Sequence, residues 1–336
     1  MIEHDTGIEK WAESHNDRPG HQSLPYQPDK YPGQAPEESI VEWRPAKYLS
    51  PNLAKLIPSG VMMRLAMRGL ERSAGVDAEP ILKELQEISK EVNELVDGGK
   101  NVAVITPHLE LSDIGHALAG LIVACRRPNF YRKNSGIVIN KVMAFESHNG
   151  KPIVNKSRRI GKVIFAIPST KSAGRWNIRP DYKKMINDRM GMAILSEIRA
   201  KEGKLIAFAP TGSQMQVNEN NPNQYIAEYP SPATLGLMER FDAFVLVTIG
   251  TSPDGQRNVV VDLIKNDSQR TLTVGKRKRS TTPHFVIGKL AEQVNSVTGR
   301  EVVFAIGETA TEDVVRAMQE AKEQLHREKS GSMQTV

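Results

Sequence analysis

A single cysteine, Cys125, stands among the 336 residues. No internal disulfide framework can form, and the composition fits a reducing compartment. The longest uninterrupted apolar runs are about nine residues, well short of the roughly 20 that a spanning helix needs. This excludes a helical membrane span and leaves a soluble chain, or one lying on a membrane surface. The opening residues Ile2, Glu3, His4 and Asp5 lack the basic and apolar regions of a secretory signal, so a cytoplasmic location is expected. Aromatics make up only 5% of the chain and do not interleave with basic residues, which argues against a single-strand nucleic-acid binder. There is no Walker loop, no Gly-x-Gly-x-x-Gly and no Cys or His spacing suited to zinc, so nucleotide loops and metal centres are not expected. Neither sign of charge dominates: 45 Lys+Arg against 39 Asp+Glu gives +6.

A chain of this length can bury a sizeable core as one large domain, or as a domain with a small appendage. Residues 1–45 are polar and rich in Pro, Gly, His and Asn, with isolated aromatics at Trp11, Tyr26, Tyr31 and Trp43. They read as an extended or partly disordered arm. Residues 46–99 read as a small helical unit. It comprises a candidate helix over 49–70 and a clear amphipathic helix whose stripe is Ile81, Leu82, Leu85, Ile88, Val92, Leu95 and Val96. Asp77 can cap the second helix, and Gly98 and Gly99 stop it.

From residue 100 to 328 the pattern is strand–helix alternation, the signature of an α/β domain. Strands are expected at 102–106, 162–167, 204–209 and 243–249, and helices at 112–126, 181–200, 232–240, 285–297 and 311–327. Residues 259–264 and 270–274 are expected to pair as a hairpin, and 329–336 to form a frayed tail. Cys125 falls in an apolar helical stretch and reads as a buried thiol, not a nucleophile.

The most informative residues are His108 and Asp113, where the strand at 102–106 runs out into a turn and a helix begins. A histidine there is lifted off the sheet edge. An acid five residues later can hold the imidazole in one tautomer and stabilise its protonated form. None of the other seven histidines has Asp at that offset. Ser112 or Asp113 acting as a helix N-cap beside an incidental histidine fits the same residues.

Two further segments carry chemistry. The strand at 204–209 leads into Pro210, Thr211, Gly212 and Ser213, a tight turn whose amides can face an anion, although an ordinary strand-ending turn has the same residues. Residues 151–184 contain ten basic side chains, Lys171, Arg175 and Arg179 among them, and one acid, Asp181. A basic stretch is commonly just a solvated face. Concentrated around one strand and its exits, this one can gather an anionic substrate.

In their order, His108-x4-Asp113, then Gly161-Lys-Val-Ile-Phe165, then Ala209-Pro210-Thr211-Gly212 resemble the successive motifs of the glycerolipid acyltransferases. The likeness is greatest to the soluble glycerol-3-phosphate acyltransferases of plant chloroplasts. The resemblance covers roughly residues 100–250. It implies a mixed sheet flanked by helices, preceded by a small helical bundle. It also implies transfer of a fatty acyl group from a coenzyme A or acyl carrier protein thioester to an alcohol in phospholipid synthesis. By that likeness His108 is the general base and Asp113 its orienting partner. Turn amides around Pro210, Thr211, Gly212 and Ser213 help form the acceptor site, and Lys171 binds the acceptor's phosphate. The thioester is a cosubstrate, and no other cofactor or metal is needed.

Two arginines of the plant family are replaced here by Gln214 and Gln216, and Thr211 stands where membrane members have a glutamate. Either Lys171, Arg175 and Arg179 supply the missing charge, or the acceptor is not glycerol-3-phosphate. A different class of reading rests on Lys276, Arg277, Lys278 and Arg279. Four consecutive cations suit a non-catalytic protein on anionic membranes or nucleic acid. In the enzyme reading the same run would steer an acidic carrier protein or lipid headgroups, and nucleic acid is not an expected partner.

Overall fold

Apolar stretches of four to nine residues, alternating with amphipathic helices, assemble into a seven-stranded sheet in the computed structural model. The structure describes residues 40–41, 82–109, 114, 117–118, 121–122, 125, 134–140, 147–148, 151–152, 162–166, 180–212, 214–267, 270–274, 277–305 and 312–332. The first elements are β1 (Ile40–Val41), α1 (Leu82–Asp97), β2 (Val102–Ile105), β3 (Ser135–Asn140) and a small ribbon of β4 (Ser147–His148) and β5 (Lys151–Pro152). Next come β6 (Lys162–Ala166), α2 (Pro180–Arg199), β7 (Leu205–Phe208), β8 (Gln216–Asn218), β9 (Asn221–Glu228) and α3 (Pro232–Met238). The chain continues through β10 (Ala243–Thr251), β11 (Arg257–Lys265), β12 (Thr271–Val274), β13 (Arg277–Ser280), α4 (Thr282–Thr298), β14 (Glu301–Ala305) and α5 (Glu312–Ser332).

The large sheet has the order β1-β6-β3-β7-β2-β10-β11. Its five inner strands run parallel, and β1 and β11 close the two edges antiparallel. The fold is therefore mixed α/β, with a mostly parallel sheet flanked by helices. Parallel strands covered on both faces must be apolar at successive positions, and β2 and β7 are buried throughout. Val102, Val104, Val245 and Val247 face one layer, where Leu85, Ile88, Val92 and Val96 of α1 pack with Leu118 and Leu121. Ala103, Ile105, Phe244 and Leu246 face the other, against Ile194 of α2, Met238 of α3, Phe285 and Leu290 of α4 and Leu325 of α5. Each large side chain so buried contributes roughly 1.5–3 kcal/mol.

Of the apolar stripe read for α1, Leu85, Ile88, Val92, Leu95 and Val96 pack in this layer; Ile81 and the Leu82 side chain lie outside what the structure describes. Helices at α2, α4 and α5 match their expected positions within a few residues, and α5 continues to Ser332, into the stretch expected to fray. Cys125 is buried, with its Sγ 3.7 Å from the carbonyl of Ser89. Ile40 and Val41, inside the stretch read as an arm, form the edge strand on β6. The candidate helix at 49–70 and the cap at Asp77 lie outside the described residues. Among those that are described, no helix is long and apolar enough to cross a membrane.

One pairing is corrected. Residues 259–264 do not pair with 270–274. They belong to β11, which pairs along its whole length with β10 through the turn at Ser252 and Gly255. The partner of β12 is β13, so Arg277, Lys278 and Arg279 lie in a strand, with Arg277 opposite Val274 at the connected end of the two-stranded ribbon. A nine-residue apolar β10 offers β11 more ladder bonds than a four-residue β12 can, and that decides the pairing. Strands β3, β8, β9 and β14 were not expected. The last three form a separate sheet, β14-β9-β8.

Candidate functional site

Because β2 and β7 are parallel neighbours, with Ile105 paired to Phe208, whatever follows each strand emerges side by side at the same edge. His108 lies three residues beyond one strand and Thr211 three beyond the other. In open α/β sheets, the carboxyl ends of strands are where ligands are held. The two segments touch directly. The Met215 amide donates to the His108 carbonyl at 3.1 Å, and the Gln214 side-chain amide donates to the Leu109 carbonyl at 2.7 Å.

The backbone at His108 is left-handed, with φ 55°. That region costs a residue with a Cβ about 1–2 kcal/mol, and such residues cluster at functional turns. Part of the cost is offset by the Thr106 hydroxyl, which accepts from the His108 amide at 3.3 Å. The imidazole-bearing residue is partly exposed, whereas Pro107 before it and Leu109 after it are buried. The facing turn is built similarly. Its Gly212 has φ 69° and donates to the Ala209 carbonyl at 3.1 Å, and Pro210 and Thr211 are buried beneath it.

Leu109 anchors the histidine loop. It packs with Met215, Ala227 and Val294, joined by Tyr225, Val302 and Phe304 of the small sheet and its flank. Gly250, at the end of β10, makes room for this. A Cβ there would lie 2.7 Å from Thr298 Cγ2 and 3.3 Å from Leu109 Cδ1. The end of α4 therefore meets the histidine loop at the same sheet edge. Just beyond it, the Arg300 guanidinium donates from Nε to the Pro222 carbonyl at 2.9 Å and from Nη1 to the Tyr225 hydroxyl at 3.1 Å.

Of the residues singled out in the sequence, His108, Pro210, Thr211 and Gly212 are thus brought together. Asp113, Lys171, Arg175, Arg179 and Ser213 lie outside the described residues, as does Lys276. Sequence reasoning missed two participants. Gln214 was visible only as a departure from an arginine, yet its side chain stitches the two loops together. Arg300 carried no motif, and its one signal was its place directly after Gly299, the left-handed residue that ends α4.

None of the titratable groups with perturbed environments is among these residues. Burial pushes His284, in the first turn of α4, down to about 4. Its Nδ1 is 2.7 Å from the Tyr229 hydroxyl, which burial raises well above the usual tyrosine range. The two rings stack at 6.0 Å, and Tyr229 meets Phe304 edge-on. At the starts of β6 and β7, burial lifts Glu197, but the hydrogen bond and charge of Lys162 and the charge and hydrogen bond of Lys204 outweigh it and hold the carboxyl low. Among the described residues, no group of three or more His, Cys, Asp or Glu side chains is placed to hold a metal ion.

No protein-family model matches the chain, and no curated protein matches it.

Proposed function

We propose that the protein is an O-acyltransferase. It moves a fatty acyl group from an acyl-CoA or acyl carrier protein thioester to an alcohol, glycerol-3-phosphate or a related phospholipid precursor. The glycerol-3-phosphate acyltransferase-like fold, with its helical bundle before the sheet, and a cytoplasmic location with peripheral contact to anionic membrane belong to the same proposal. The observation that carries it is the meeting of the His108 loop with the turn at Pro210, Thr211 and Gly212, bonded through Met215 and Gln214. That meeting, at the carboxyl edge of parallel strands, supports reading His108 as the base and the turn amides as donors.

In this reading the neutral imidazole of His108, oriented by Asp113, accepts the proton of the acceptor hydroxyl as its oxygen attacks the thioester carbonyl. A carbon–oxygen bond forms, and negative charge collects on the carbonyl oxygen, where turn amides stabilise it. Collapse breaks the carbon–sulfur bond, and the imidazolium returns its proton to the leaving thiolate. Lys171, Arg175 and Arg179 supply positive charge for an anionic acceptor. No redox step occurs.

The test is a matrix of acyl-CoA and acyl carrier protein donors against alcohols, including glycerol-3-phosphate and glycerol, with products read by mass spectrometry. An ester product from at least one pair is expected. No ester with any pair, together with steep salt-dependent binding to anionic vesicles or nucleic acid, would replace this reading with the non-catalytic one. That second reading draws on Arg277, Lys278 and Arg279 lying in one strand of a two-stranded ribbon.

A further inference from the structure

We infer that Arg300 holds a phosphate group of the substrate at the rim of the His108 site. The inference rests on the acyl-transfer reading and adds a two-pronged anion contact to the charge that this reading assigns to Lys171, Arg175 and Arg179. Substitution of Gln214 and Gln216 for arginines leaves the turn without a fork of donors for phosphate. Gln214 is a weak substitute: one N–H of its amide is spent on the Leu109 carbonyl, and the other is a single uncharged donor. A guanidinium must then come from another element, or the charge must be left to isolated cations.

Arg300 meets the requirement in three ways. It stands two residues after Thr298, whose methyl and the Leu109 side chain both crowd the space over Gly250. Its guanidinium is also oriented in advance. Nε is fixed on Pro222 and Nη1 on Tyr225, and Cζ lies 5.3 Å from the centre of the Tyr225 ring. Tyr225 in turn packs against the cluster that anchors Leu109. Finally, no carboxylate among the described residues pairs with it, although it is only partly exposed. A half-buried, braced guanidinium whose outer N–H groups meet no acid is equipped for a planar, two-pronged bond to an oxyanion.

A phosphate at that position can come from either cosubstrate: the monoester of the acceptor, or the phosphates of the donor's pantetheine arm. Both present the same chemistry to Arg300. The arms of the experiment tell them apart.

Full-length protein and the Arg300→Gln variant are titrated calorimetrically with glycerol-3-phosphate and, separately, with coenzyme A. Loss of a charged, two-pronged contact should weaken one probe by roughly 10- to 100-fold and leave the other within about twofold. Arg300→Lys should recover only part of the loss. Should Arg300→Gln fail to fold, Tyr225→Phe removes only the orienting hydroxyl and should weaken the same probe by roughly 3- to 10-fold. Unchanged affinity for both probes in the folded variants, or no binding of either probe to the wild type, overturns the inference. Ester formation is assayed on the same preparations. Transfer without any dependence on Arg300 removes the anion site and leaves the enzyme. Arg300-dependent binding without transfer keeps the anion site and removes the enzyme.

Discussion

The two ends of the parallel sheet treat polar groups in opposite ways. At the amino ends of the strands, charges are locked into one another. Lys204, 5% exposed, bonds Glu197 at 3.2 Å and Glu202 at 3.1 Å, Lys162 reaches the other oxygen of Glu197 at 2.5 Å, and Asp242 receives the Asn101 amide at 2.9 Å and the Lys100 ammonium at 3.1 Å. Left-handed turns occur at both ends, at Lys201 and Gly203 before β7 and at His108 and Gly212 at the carboxyl edge, but at the carboxyl edge Arg300 is braced with no acid paired to it among the described residues. Of the amino-end set, only Lys204 and Glu197 are well enclosed, and there each charge is answered by another. A braced guanidinium with no paired acid among the described residues leaves something for a ligand to complete. Perturbed titration alone would not have singled out the site, since the disturbed groups are scattered: Glu84, Glu197, the Tyr229–His284 pair and Asp254 in the turn after β10.

The sharpest way to break that contrast is to remove the centre of the amino-end network. Glu197→Ala should cost about 3 kcal/mol in denaturant unfolding, because it strips a buried lysine of its most enclosed partner. Coenzyme A or glycerol-3-phosphate binding by the folded fraction should not change. A cost below about 1 kcal/mol would show the cluster to be incidental.

The second test uses pH. His284 in the folded chain gains its proton only near 4, whereas an unfolded chain takes it up near 6.5. Below 6.5 the unfolded state therefore binds a proton that the folded state refuses. Stability falls as pH drops from 6.5 toward 4 and levels off below, by roughly 3 kcal/mol in all. Glu197 acts in a lower window. Its depressed carboxyl contributes above the ordinary carboxylate range and loses that contribution as pH falls through its folded value. Melting curves of wild type and His284→Gln between pH 7 and 4 separate the two. If the variant shows the same loss over that range, His284 is not its source.

A smaller effect is expected at the site itself. Gln214→Ala removes one bond between the two loops, and stability should drop by about 0.5–1.5 kcal/mol. Ester formation should fall further, by roughly 10-fold, since the loops would no longer hold base and turn in register. Loss of stability without loss of rate would make Gln214 a fold residue only.

Much of this layout was legible because buried parallel strands are continuous apolar runs. Val102 to Ile105, Leu205 to Phe208 and the core of β10 announce themselves, as does the stripe of α1. β3 was missed because Ser135 and Gly136 dilute it and it lies amid basic and polar sequence. β8 and β9 were missed because their residues are polar and half-exposed, so the small sheet has no hydrophobic alternation of its own to read. The partner of β11 depended on competition between two possible ladders, which spacing alone does not decide. At the site, His108 and Gly212 could be singled out because each follows a clear strand. That they meet follows from strand order, a property of the whole sheet. Arg300 was invisible because its bonds to Pro222 and Tyr225 span 78 and 75 residues.

The most direct measurement is ester formation by His108→Asn beside the wild type, under matched folding by circular dichroism. Asparagine tolerates the left-handed backbone and keeps the turn, while removing the base. The account predicts a rate at least roughly 100-fold lower with little change in donor binding. A folded His108→Asn protein that forms ester at the wild-type rate would contradict it.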